Sequence, residues 1–196
     1  MQRSTGTMVV AAAFVLAACG STTLTDVWKA PDTARLQFKK VLVVAISTDI
    51  TWRRTIEDEL VRRIRDVQAV ASYQFFADGE PREWEAARER LKAAGFDGLI
   101  TFRLAGVDKQ QTYVPPVYAN RGVGGYWGYA WPAVYTPGYT VTDTLVQVET
   151  LVYEIGGDKL VWASRSRSFN PANAKDLVNE VVDAVRDEMK KQGLIG

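Results

Sequence analysis

An uninterrupted apolar run, Val41-Leu-Val-Val-Ala-Ile46, follows Lys39-Lys40. A half-buried strand would alternate, so this run predicts a strand covered on both faces. From about Thr51 to Asp66, Trp52, Ile56, Leu60 and Ile64 recur every four residues with Arg and Glu between them. That spacing predicts an amphipathic helix, with Asp49 or Thr51 as N-cap. Val70 to Phe76 reads as a second strand. Asp78-Gly-Glu-Pro81 then opens a second helix, buried along Trp84, Ala87, Leu91 and Ala94 and closed by Gly95. Gly98 to Val107 reads as a third strand, giving β-α-β-α-β, an order that favours parallel strands joined by right-handed crossovers. The second half differs. Tyr139 to Ile155 is a long run rich in Val and Thr, Gly156-Gly-Asp-Lys159 signals a hairpin, and Leu160 to Ser168 returns. Asn173 caps a last helix with Asp176 at its N3 position. Leu177, Val181, Ala184 or Val185, and Met189 face the core, and Gly193 ends it. The predicted fold is α/β: a mixed sheet of β-α-β-α-β followed by a long antiparallel hairpin and a C-terminal helix, with three helices packed on it. There is no internal repeat.

Ahead of this domain, Arg3 and a short polar stretch precede an apolar run from Met8 to Ala18. As a helix the run would rise only about 16 Å, roughly half a bilayer's hydrocarbon core, so it reads as a secretory signal rather than a span. Its end is more specific: Leu16-Ala17-Ala18-Cys19 resembles the lipobox of bacterial lipoproteins. That resemblance implies cleavage before Cys19, which becomes the first mature residue and the covalent lipid anchor, holding the protein to a membrane through its acyl chains. The other reading, an ordinary cleaved signal with a chance cysteine, leaves the spacing and the position of the sole cysteine as coincidences. Gly20 stands where an inner-membrane retention signal would place Asp, which implies the outer membrane, facing the periplasm. Residues 1–18 are thus expected to be signal peptide. Residues 19–35, Ser/Thr-rich with Pro31 and no lasting periodicity, are expected to be a tether, and residues 36–196 a single domain. Trp28 is expected to pack where tether meets domain.

Composition then narrows the chemistry. The 196 residues include no His and a single Cys, which excludes Ser-His-Asp and Cys-His catalysis, histidine metal sites and any intrachain disulfide. A formal net charge of +1 offers no basic excess for nucleic acid. Glu57-Asp58-Glu59 points three ways around a helix among Arg53, Arg54, Arg62 and Arg63, and reads as a solvated, salt-bridged face. Asp97 reads as a turn residue. Gly122 to Gly128 fails the phosphate-loop spacing, and no helix opens behind it. Ser164-Arg-Ser-Arg-Ser168 puts both arginines on one strand face and the serines on the other. No cofactor is expected beyond the lipid on Cys19, and no catalytic residue emerges.

The strongest feature outside the predicted core is residues 113–139, which hold six of the eight tyrosines and two of the six tryptophans, with four Pro and five Gly. Long loops are uncommon unless functional or disordered, and Tyr and Trp suit contact surfaces. Tyr113, Tyr118, Tyr126, Trp127, Tyr129, Trp131 and Tyr135 are the candidate binding residues. A self-packed loop without a ligand is the alternative.

The lipobox and the phrases Lys-Val-Leu-Val-Val, Ile-Glu-Asp-Glu-Leu-Val, Gly-Phe-Asp-Gly-Leu-Ile and Lys-Leu-Val-Trp-Ala resemble a family of bacterial envelope lipoproteins, from about Trp28 to Met189. By element order the chain is also similar to the small α/β domains of envelope accessory lipoproteins, which work by contacting partners. These resemblances imply a non-enzymatic binding or accessory module for an envelope protein partner. The alternative is a peptidoglycan or polysaccharide binder whose aromatic rings stack on sugars.

Overall fold

The two halves of the chain build a six-stranded mixed sheet. The computed structural model describes residues 22–77, 80, 83–115, 117–118 and 135–196. The apolar run forms β2 (Lys40–Ile46), parallel to both β3 (Gln68–Ala71) and β4 (Gly98–Val114). Between β2 and β3 lies α1 (Ile50–Arg63), whose first turn is capped by the Asp49 carboxylate accepting from the Trp52 N–H at 3.0 Å. The run Val70–Phe76 divides: β3 ends at Ala71, and Ser72–Phe75 forms a single helical turn, α2. An apolar stretch this short carries no periodicity to separate strand from helix. Helix α3 (Trp84–Ala93) follows and buries Ala87 and Leu91. Gly95, at φ +80°, closes it in a conformation that other residues rarely adopt. Trp84, expected in the buried stripe, is half-exposed instead and donates its indole N–H to Asp158 at 2.9 Å. Gly98, where β4 begins, is also required: a Cβ there would lie 2.8 Å from Val41 Cγ1.

The second half pairs antiparallel throughout, β4 with β7 (Tyr139–Glu154) and β7 with β8 (Lys159–Phe169). Residues 22–29, expected within a tether, instead form strand β1 (Thr22–Lys29), antiparallel to β8 at the sheet edge. The ordered domain therefore starts well before residue 36. Edge pairing runs through the main chain, so a Thr-rich segment joins without an apolar pattern to announce it. Trp28 lies on this strand, about half exposed rather than packed. The strand order is β1-β8-β7-β4-β2-β3.

Helix α4 (Ala174–Lys191) is capped by Asn173, whose side-chain oxygen accepts from the Asp176 N–H at 3.0 Å. It packs beside α1 on one face of the sheet, where Val43, Phe102, Val146 and Val148 meet Ile56, Leu60, Leu177 and Val181. On the other face α2 and α3 cover Leu42 through Phe76, Ala87, Leu91 and Phe96. Ser164, Ser166 and Ser168 of β8 are buried, while Arg165 and Arg167 between them are exposed. The fold class expected from the pattern, with three substantial helices on a mixed sheet, is the one observed. Among the described residues no helix is long and apolar enough to cross a membrane.

Candidate functional site

Strands β4 and β7 outrun the rest of the sheet. Pairing of β4 with β2 stops at Arg103, and pairing of β7 with β8 stops at Leu145. From Lys109↔Thr144 to Val114↔Tyr139 the two strands therefore pair only with each other. At about 3.4 Å per residue, this ribbon projects roughly 20 Å. The register at its base is pinned by Asn170 just after β8. Its side-chain oxygen accepts from the Thr144 N–H at 2.6 Å, and its amide donates to Asp143 at 2.9 Å. Asn170 adopts φ +47°, a turn conformation that Asn tolerates, and Pro171 follows it.

The strand expected to end at Val107 runs on to Val114, which corrects the β4 side of the arm, whereas β7 begins at Tyr139 as expected. Tyr113 and Tyr139 belong to the paired strands, with Tyr113 opposite Thr140 and Val114 opposite Tyr139. Both tyrosines are well exposed, at 63% and 55%, and they point to opposite faces of the ribbon. Further out, β5 (Val117–Tyr118) pairs antiparallel with β6 (Tyr135–Thr136), so Tyr118 and Tyr135 oppose each other on the main chain. Tyr126, Trp127, Tyr129 and Trp131 lie outside the described residues, as does Cys19. Both faces of the arm carry polar residues, Lys109 and Gln111 on one and Gln110 and Asp143 on the other. A ribbon with two wet faces encloses no core of its own.

The carboxylates expected on a solvated face are sorted differently. Glu57 is fully buried. Its Oε1 accepts from the Ala45 N–H at 3.0 Å and the Ser72 hydroxyl at 2.7 Å, and its Oε2 from the Tyr73 N–H at 3.3 Å. Asp58 accepts from the Tyr73 hydroxyl at 2.6 Å, a bond that holds the Tyr73 phenol above its ordinary pKa. A raised phenol favours the folded state below its unfolded pKa and loses that contribution as pH climbs through the folded value, so neutral pH leaves it intact. Glu59 is also buried and pairs with Arg62 at 2.7 Å. Asp97 accepts from the Lys39 and Lys40 N–H groups at 2.8 and 3.0 Å, tying the start of β2 to that of β4. Among the described residues no group of three or more metal-binding side chains converges.

One feature left no trace in the sequence. Between α1, α4 and the sheet lies a cavity of about 150 Å³, floored by Ile100 and Val152 and walled by Leu60, Ile64, Val182 and Val185. Its rim carries Arg63, Asp66 and Arg186. Two ion pairs cross from α1 and its following residues to α4: Arg63 with Asp183, and Arg186 with Asp66 at 2.7 Å.

No protein-family model and no curated protein sequence matches the chain. Among solved structures it is similar to the PelC dodecamer from Paraburkholderia phytofirmans, at 10% identity and a TM-score of 0.41, over 80% of this chain and 89% of that one. It is also similar to lipoprotein GNA1162 from Neisseria meningitidis, at 11% identity and a TM-score of 0.42, over 78% of this chain and 99% of that one. Likeness at this level concerns the scaffold, and the activity has to be read from this chain's own residues.

Proposed function

We propose that the chain is a lipid-anchored, non-catalytic accessory protein of the bacterial envelope, held to the outer membrane through Cys19. It binds another envelope protein through the aromatic segment at the end of the β4–β7 arm. The observation that carries this reading is the arm itself, a polar ribbon whose two strands, up to Val114 and Tyr139, pair only with each other beyond the rest of the sheet. Register supports a position for the anchor relative to the arm. Thr22 pairs with Ser168, Ser168 with Val146 and Val146 with Val107, so the start of β1 and the base of the arm share one row across the sheet. Cys19 stands three residues before Thr22, a reach of about 11 Å at full extension. That short reach supports an anchor near the end of the sheet from which the arm emerges, and so favours a partner close to the membrane surface.

Two measurements test the reading. Cys19→Ser is expected to accumulate as unprocessed precursor and to lose metabolic fatty-acid label, since the chain has no other thiol. Normal labelling of that variant would end the anchoring assignment. Replacing Tyr126, Trp127, Tyr129 and Trp131 together by Ser is expected to abolish cross-linked partner capture from membranes while leaving Tm unchanged. A large drop in Tm would make the rings part of a core. Retention of the wild type, but not the variant, on isolated peptidoglycan would reassign the arm to glycan.

A further inference from the structure

We propose that the cavity between α1, α4 and the sheet is a binding site for a medium-chain fatty acid. The aliphatic chain lies inside, and the carboxylate sits on Arg63 and Arg186 at the rim. Three observations converge. The pocket is partly open to solvent, measures about 150 Å³ and is walled almost entirely by apolar side chains such as Leu60, Ile64, Val182 and Val185, the lining that small-molecule sites favour. Apolar space of that volume has room for a hydrocarbon tail of about six carbons, and its opening lets a polar head remain at the surface. The rim supplies the polar half of the recognition. Arg63 and Arg186 each use an Nη2 on an aspartate of the neighbouring segment, Asp183 and Asp66. Each also keeps a buried Nε–H that meets no acceptor.

Buried N–H donors without partners are costly, and charge-assisted bonds to a carboxylate are among the strongest available to a guanidinium. One carboxylate offers two oxygens, an acceptor for each arginine. The chemistry therefore points to an anion with a single aliphatic tail. An uncharged hydrocarbon leaves both donors unsatisfied, and a diacyl lipid brings two tails to a space for one. Because Arg63 and Arg186 come from the two helices that flank the opening, a bound carboxylate also bridges α1 to α4.

The test is titration calorimetry of the full chain in phosphatidylcholine vesicles, with octanoate and octanol as probes and protein-free vesicles as the blank. Octanoate is expected to saturate at one site per chain, and octanol to bind at least about tenfold more weakly, the worth of a charge-assisted hydrogen bond. Arg186→Gln is expected to lose about that factor for octanoate and none for octanol, and Val182→Phe, which fills the space, to lose both. The comparison of the two probes on the unaltered chain carries the result even where a variant fails to fold. The proposal is overturned by no saturable octanoate signal above the blank, by equal binding of octanol, or by wild-type binding in a folded Val182→Phe chain.

Discussion

Val43→Asp is expected to leave no cooperatively folded domain under conditions where the unaltered chain melts as one unit. Val43 has no exposed surface, and its backbone is paired to Ala71 on one side and Ile100 on the other. Its side chain lies in the layer shared with Ile56, Leu60, Phe102 and Val181. A carboxylate placed there has neither water nor a counter-ion. An uncompensated buried charge costs several kcal/mol, against a total stability of about 5–15 kcal/mol for a domain. The internal control lies on the same strand: Ile46 is half-exposed at its end, and Ile46→Thr is expected to change stability by less than about 0.5 kcal/mol. Urea unfolding followed by far-UV circular dichroism decides the matter. A native-like transition for Val43→Asp would mean that β2 is not covered on that face.

How much of this the sequence revealed depended on whether burial or main-chain geometry set each element. β2 was legible because Val41–Ala45 is covered on both faces, and no loop or amphipathic helix carries such a run. The caps at Asp49 and Asn173 were legible because their side chains do a local job at a fixed offset from the helix. β1 was not legible. Its residues pair through the backbone at an edge, most of them stay exposed, and Thr22–Lys29 shows no sustained alternation. The outer half of β4 was hidden for a related reason. Asp108 to Thr112 faces water on both sides of the ribbon, so its polarity resembles that of a loop. The aromatic content of residues 113–139 did mark that segment as unusual, and its two ends, Tyr113 and Tyr139, lie in the paired strands of the arm. The cavity was beyond reach. It is made by residues of α1, α4 and the sheet that are far apart in sequence, and a void has no residue pattern of its own.

Glu57→Ala is expected to destabilise the domain by about 3–5 kcal/mol, although the same residue looked like one of three interchangeable surface carboxylates. Successive helix positions are turned by about 100°, so Glu57, Asp58 and Glu59 meet three different surroundings. Glu57 faces inward, toward the end of β2 and the start of α2, where the chain would otherwise bury backbone donors without partners. Removing its carboxylate orphans the N–H groups of Ala45 and Tyr73 at about 1–3 kcal/mol each, and the Ser72 hydroxyl loses its acceptor as well. The truncation also leaves a hole in a packed region. Glu57→Gln separates the two contributions. It keeps the volume and one acceptor oxygen, but its amide must face a donor on the other side, so its loss should fall between those of the unaltered chain and Glu57→Ala. Asp58→Asn, which keeps an acceptor oxygen for the part-buried Tyr73 hydroxyl, is expected to cost at most about 1 kcal/mol. Urea midpoints at constant slope give the ranking directly. If Glu57→Ala ranks with Asp58→Asn, water has replaced the carboxylate, and the junction of β2, α1 and α2 is open to solvent rather than sealed by a side chain.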